Sequence, residues 1–127
     1  REMADFGGLL ARVPWLGWAF ILSAFASLGL PGLAHFPAEF QIFLATLNSV
    51  PWAIVAILAI VVTAALYLRA IGAVFLGAAQ DKWADMPDLD RRELAAIMPL
   101  LVLTVLIGVA PGWLIELIHT TMQGLTP

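Results

Sequence analysis

The sequence predicts an all-α integral membrane segment with three transmembrane stretches. The first is a discontinuous helix, and a short interfacial helix follows the third. Three observations carry that prediction. Of the 127 residues, 62% are hydrophobic and 12% charged, with a mean hydropathy of +0.98, whereas a soluble domain is about 45–50% apolar and about 25% charged. The apolar residues form three long runs, at about 14–47, 51–76 and 94–110. The first run is interrupted by "ASLGLPGLAHFPAEF", residues 26–40, which places two prolines, two glycines, a histidine and a glutamate inside it.

A spanning helix needs about 20 residues. The 51–76 run meets that with some tilt. The 94–110 run meets it if flanking residues lie at the interface. At about 1.5 Å per residue, a continuous 14–47 helix would be roughly 51 Å long, against a hydrocarbon core of about 30 Å. Something inside it must break. Pro31 and Pro37 lack an N–H and disfavour helix at Leu30 and Phe36 before them, and Gly29 and Gly32 loosen the backbone. These four residues predict the break, between about Leu30 and Ala38.

Between the second and third runs lies "GAAQDKWADMPDLDRR", residues 77–92, an aqueous loop in which Asp88 or Asp90 is placed to cap the third helix. After the third run Pro111-Gly112 turns the chain, and 113–122 suits a short interfacial helix with Trp113, Leu114, Leu117 and Ile118 on its apolar side. The organisation is thus a single membrane segment over 1–127: a broken span at 14–47, spans at 51–76 and 94–110, a loop at 77–92 and a tail at 111–127. Opening on Arg1 rather than methionine fits a processed product, a fragment or part of a longer chain. "REMADFGG" does not read as a signal peptide.

With three spans, Arg1, Arg12, Lys82, Arg91 and Arg92 fall on one side, while the 48–51 turn and the tail carry no basic residue. The positive-inside rule makes that side cytoplasmic, or the matrix or stromal equivalent, and puts the C-terminus outside. Trp15, Trp18, Trp52 and Trp113 then occupy interfacial belts.

An ionisable residue inside a span is a functional candidate by default. Freed backbone groups must face protein or water, because hydrocarbon leaves them unsatisfied at several kcal/mol each. Discontinuous helices accordingly mark ion and substrate sites in transporters. Glu39 lies about 12 Å inside the outer end of the run, near the bilayer centre and in the first turn after Pro37. A carboxyl poised between burial and a helix end exchanges protons with water chains. The alternative is a kinked span in which Glu39 takes no part. His35 is placed to pass a proton to Glu39 or, alternatively, to hydrogen-bond a carbonyl of the broken helix. Arg69 sits near the inner interface, either snorkelling or facing a carboxylate of a neighbouring chain. Ser27, Thr63 and Tyr67 are potential donors that nothing in the sequence distinguishes. Glu116 and His119, three apart in the tail, fit a solvated face or a metal or proton site.

The composition and motifs exclude other classes. Without cysteine there are no disulfides or thiol-ligated metals, and a net charge of −3 gives no nucleic-acid footprint. No Walker, Rossmann, haem or iron–sulfur pattern occurs, and no metal or cofactor site is expected on this chain.

"REMADFGGL", "FASLGLPGLAHFPAEFQIF", "ALYLRAIGAVFLG", "DLDRREL" and "IGVAPGWL" together resemble the C-terminal part of the antiporter-like proton-channel subunits of respiratory complex I, the NADH-quinone oxidoreductase. The likeness is closest to the subunit M (chain 4) branch and covers nearly the whole chain; sister subunits and Mrp-type cation antiporters share related forms. It implies helices twelve to fourteen of a fourteen-helix subunit built from two inverted five-helix repeats. The family's broken twelfth helix carries the carboxylate of the outward proton half-channel, a role that maps onto Glu39. Where the family commonly has a compact residue and then a glycine before the glutamate, this chain reads "AHFPAEF".

The implied function is outward proton transport within a multisubunit quinone reductase. Redox chemistry elsewhere in the complex supplies the energy, and this chain holds no redox centre or cofactor. The implied partners are the other membrane-arm subunits, the remaining helices of the same subunit and the lipid bilayer. The implied location is a bacterial inner membrane or an organellar or thylakoid equivalent. Two alternatives stand beside it: an Mrp-type sodium–proton antiporter subunit, and a non-transporting three-helix assembly subunit.

Overall fold

The computed structural model describes residues 6–47 and 50–125. It contains α1 (Leu9–Arg12), α2 (Pro14–Ser27), α3 (His35–Thr46), α4 (Val50–Val74), a single 3-10 turn at Asp81–Trp83, α5 (Arg91–Val109) and α6 (Gly112–Leu125). The described residues contain no strand. Two stretches, Trp52–Val74 and Arg91–Val109, are long and apolar enough to cross a membrane. Helices α2 and α3 have 14 and 12 residues, about 21 and 18 Å at 1.5 Å per residue, so neither alone reaches spanning length. The turn at 48–49, between α3 and α4, lies outside the described residues.

Local chemistry sets each boundary. Pro14 opens α2 at its first helical position, where its fixed φ is suited and no N–H is missed. Helix α5 begins at Arg91, ahead of the apolar run, because Asp90 and Glu93 form a reciprocal capping box. The Asp90 carboxylate accepts the N–H of Arg92 at 2.7 Å and of Glu93 at 2.8 Å, and Glu93 Oε2 accepts the N–H of Asp90 at 2.9 Å. Pro99 sits inside α5 and supplies no N–H for the Ala95 carbonyl. The main helix of α4 stops at Val74, and the carbonyls of Phe75 and Leu76 accept the N–H groups of Leu10 and Gly8, both at 3.1 Å. Carbonyls that a helix end leaves orphaned are thereby paired with the start of α1.

Most of the buried apolar residues form two clusters, the first of them at that end. Leu9, Val13 and Phe75 form one cluster, with Phe6, Leu10, Trp83 and Met86 against it; Ile21, Ala24 and Ile71 form another, bordered by Phe25 and Tyr67. Phe6 stacks on Trp83 at 4.9 Å, and the Lys82 ammonium lies 5.3 Å from the same indole. The N-terminal segment, the end of α4 and the 81–86 stretch therefore share one end of the molecule. Helix α2 lies against α5, and α3 lies against α4, with smaller contacts to α2 and α5. The outward faces of α4 and α5 are almost entirely exposed and apolar, as at Leu58, Val61, Leu66, Leu100 and Val109. Such faces suit lipid or further helices.

Candidate functional site

Helix α2 does not fade; it is terminated. Gly29 has φ 64°, the left-handed conformation that costs an L-residue about 1–2 kcal/mol. Its N–H bonds the Ala26 carbonyl at 3.2 Å, and the next N–H, of Leu30, reaches back to the Phe25 carbonyl at 3.3 Å. These two bonds make a Schellman cap with Gly29 just past the last helical turn and Pro31 closing off any continuation. The helix stops at Ser27 and resumes at His35, so the interruption covers 28–34.

That placement shifts two of the sequence expectations. Pro37, expected in the break, is the third residue of α3. The first N–H groups of a helix have no intrahelical partner, so a proline costs no bond there. As a result α3 begins before Pro37 rather than after it. Glu39 is then the fifth helical residue, beyond the first turn, which contains no acidic residue. The helix-dipole contribution expected for Glu39 falls off over that distance.

His35 is exposed, and its Nδ1 lies 2.9 Å from the Ala26 carbonyl. A carbonyl only accepts, so Nδ1 carries the hydrogen and Nε2 is the nitrogen left to exchange protons. The histidine thus spans the break, tying the start of α3 to the last turn of α2.

The half-buried Glu39 side chain folds back over the break. A methyl group added to Gly29 would collide with Glu39 Oε2, with Cδ 2.6 Å and Oε1 3.1 Å away. The carboxylate thus occupies the space a side chain at 29 would fill. Gly29 serves two needs at once, a left-handed turn and room for the acid. Among the described residues no donor reaches the Glu39 carboxylate. It borders a cavity of about 120 Å³ whose other walls are Ser27, Leu28, Ala59, Ile60 and Thr63.

A second close approach holds the break from the other side. A Cβ on Gly108 of α5 would meet the backbone of Leu33 and Gly32. Backbone atoms cannot swing aside, so α5 comes this near only because residue 108 has no side chain. Leu33 itself is buried.

The loop at 77–90 also fixes α2. Val13 offers α2 no side-chain cap. Asp88 supplies one from 73 residues away: Oδ2 accepts the Trp15 N–H at 3.0 Å, and Oδ1 accepts those of Leu16 at 3.1 Å and Leu89 at 2.8 Å. Partial desolvation pushes this carboxyl up, but the N–H donors of Trp15, Leu89 and Leu16 together hold it below the usual aspartate value. Of the two aspartates expected to cap the third span, Asp90 caps α5 and Asp88 caps α2.

The remaining candidates stand apart. Arg69 is exposed, and no described carboxylate pairs with it. Glu116 and His119 are exposed on α6, and the described residues hold no group of three metal-ligating side chains. A cavity of about 600 Å³ lies between α3, the end of α5 and α6. It is mostly apolar, with Gln41 and His119 among its few polar walls, and Glu39 is not on it. The smaller cavity is the better candidate because it joins a carboxylate to two hydroxyls. The sequence offers Ser27 and Thr63 only as generic donors and gives no sign of the part Gly108 plays. Lone hydroxyls in apolar helices have no pattern that reveals their neighbours.

Comparison with known proteins places this chain in a family. Residues 1–66 match the transmembrane family model described as NADH:quinone oxidoreductase/Mrp antiporter. The NADH-quinone oxidoreductase subunit M of Pseudomonas aeruginosa is 38% identical over 127 residues, covering 98% of this chain and 24% of that protein. The F(420)H(2) dehydrogenase subunit M of Methanosarcina mazei is 32% identical over 126 residues, 98% of this chain and 26% of the relative. The subunit M of Escherichia coli K12 is 30% identical over 125 residues, 96% and 25%. The chain spans about a quarter of the length of these curated relatives. Glu39, Gly29 and both cavity hydroxyls fall within the matched 66 residues, and the chain belongs to the NADH:quinone oxidoreductase/Mrp antiporter transmembrane family.

Proposed function

We propose that this chain is the stretch of a proton-translocating membrane-arm subunit, of the NADH-quinone oxidoreductase type, that carries the outward half-channel. The observation that carries the reading is the Glu39 carboxylate folded onto Gly29 at an interrupted, apolar helix pair. In this reading α2 and α3 cross the membrane as one discontinuous span, α4 returns and α5 crosses again. The shared end formed by α1, the end of α4 and the 81–86 stretch supports that course, as do the two N-terminal caps supplied by Asp88 and Asp90, two residues apart. Arg12, Lys82, Arg91 and Arg92 cluster toward this end, which is then the cytoplasmic side. The C-terminal α6 lies outside.

Each residue then has a task. Glu39 takes a proton arriving from the inner half of the subunit and gives it up to water leading outward. Gly29 keeps the carboxylate at the break. His35 bridges the two half-helices through the Ala26 carbonyl, with Nε2 open to a water chain. The driving energy comes from quinone reduction on other subunits, and this chain performs no redox step. Its partners are the remaining helices of the subunit, the neighbouring membrane-arm subunits and lipid.

The test is Glu39→Gln and Glu39→Asp in the full-length subunit, with proton pumping measured per assembled complex. Gln should assemble normally and slow pumping, and quinone reduction with it. Asp keeps the acid but shortens its reach, which disturbs the hydrogen-bond distances of transfer, so it should do less harm. Full pumping by the Gln variant at normal assembly removes Glu39 from the mechanism. A second reading, a sodium–proton antiporter subunit, is favoured by the Mrp half of the matching family description. Transport by membranes that lack any quinone-linked electron flow, and that exchange sodium for protons, would select it.

A further inference from the structure

We propose that Thr63 of α4 and Ser27 at the end of α2 position water against Glu39, making α4 a working wall of the proton path rather than a lipid-facing prop. The inference rests on the function proposed for Glu39 and extends it to two residues on other helices.

The cavity of about 120 Å³ that Glu39 borders is far above the roughly 10–15 Å³ of such volume that one water needs. A held water also needs two to four polar partners. The Glu39 carboxylate, the Ser27 hydroxyl and the Thr63 hydroxyl supply three; Leu28, Ala59 and Ile60 complete the walls.

The two hydroxyls have different capacities. Thr63 Oγ1 donates to the Ala59 carbonyl at 2.8 Å, so its hydrogen is committed and its remaining capacity at the cavity wall is as an acceptor. It orients a water without passing a proton on. The Ser27 hydroxyl has no partner among the described residues, so it is free to rotate, donating to or accepting from a water in the cavity. A proton leaving Glu39 breaks the carboxyl O–H bond and joins a water that donates one of its hydrogens to Thr63 and releases the other to the next water outward, so each water ends with two hydrogens. The carboxylate that remains is hydrogen-bonded by the cavity water that Ser27 holds. Charge and protons balance with no group beyond water. Ser27 closes α2, and the Schellman turn at Gly29 follows within two residues. The feature that breaks the helix is thus also the one that brings a hydroxyl to the cavity the acid borders.

The test uses the full-length subunit in the assembled complex. Thr63→Val keeps the shape and removes the acceptor; Thr63→Ser returns it. Losing one neutral hydrogen bond to the transferring water, about 1 kcal/mol, corresponds to about fivefold slower pumping per assembled complex. Thr63→Ser should restore most of the rate, and Ser27→Ala should slow pumping to a similar degree. In the Glu39→Gln background, Thr63→Val should cost nothing further, because both act on one step. If Glu39→Gln slows pumping while Thr63→Val and Ser27→Ala do not, or if Thr63→Val adds its full loss to that of Glu39→Gln, the positioning role is overturned and the function of Glu39 survives. If Glu39→Gln itself pumps normally, the underlying reading fails first.

Discussion

Gly29 and Gly32 offer a controlled experiment that the structure sets up by itself. Both have positive φ, 64° and 91°. Alanine at either must adopt a conformation that costs an L-residue about 1–2 kcal/mol. Their surroundings differ. A methyl on Gly32 meets nothing within 4 Å, whereas a methyl on Gly29 lands on the Glu39 carboxylate. Glu39 is the flexible end of a side chain, so it swings away instead of forcing the backbone apart. The added cost at Gly29 therefore falls on the position of the acid more than on stability. Misplacing a reacting group by about 1 Å can cost on the order of a hundredfold in rate. We expect Gly29→Ala and Gly32→Ala to lower the thermal-inactivation midpoint of the purified complex by similar amounts. We expect only Gly29→Ala to lose most of its proton pumping per assembled complex. Gly29→Ala combined with Glu39→Asp, whose shorter side chain needs less room, should regain part of the loss. Equal pumping by the two alanine variants would show that the carboxylate does not depend on the space at Gly29, and would refute the reasoning.

Gly108→Ala sets a methyl against the backbone of Leu33 and Gly32, which cannot yield; an overpacking cost of about 1–3 kcal/mol is expected, read as a lower inactivation midpoint of the complex. Asp88→Ala removes the distant cap of α2, a loss of about 1 kcal/mol, and should speed amide exchange at Trp15 and Leu16 while leaving the first turn of α5 protected. Because the Asp88 carboxyl is held below the usual 3.8, its contribution is complete at neutral pH and fades only as pH falls through that lowered value. Protection at Trp15, corrected for the intrinsic exchange rate, should therefore show no Asp88 titration between roughly pH 5 and 8. Asp90→Ala should produce the complementary pattern, freeing the amides of Arg92 and Glu93 and leaving Trp15 unchanged.

Much of this arrangement is legible in the sequence, and the reasons are physical. An apolar run of 34 residues exceeds any single span, so the break can be read from length alone, and Gly29 followed by Pro31 carries the chemistry of a helix stop. Pro37 misleads because proline breaks a helix interior yet costs nothing in a first turn, and only the start of α3 decides between the two. Asp88 misleads for a related reason. Caps are usually read as local, and the two caps in "DLD" serve helices more than 70 residues apart in one case and adjacent in the other. Gly108 and Thr63 carry no local signal: one matters through the missing volume of its side chain and the other through a cavity built by three helices.

The contacts around the break share a logic that bears on the mechanism. The break between α2 and α3 is not a loose joint. Gly29 ends α2 with two specific bonds, His35 bridges the gap, Gly108 lets α5 press on Leu33, and Asp88 anchors the far end of α2 to the loop that starts α5. A break that crosses hydrocarbon, as proposed here for α2 and α3, needs such support, since unsatisfied backbone there costs several kcal/mol per group. The same support leaves Glu39 as the movable element at the site, a flexible carboxylate seated on a glycine beside room for water. A relay requires that division: fixed walls that hold water, and one acid free to change partners.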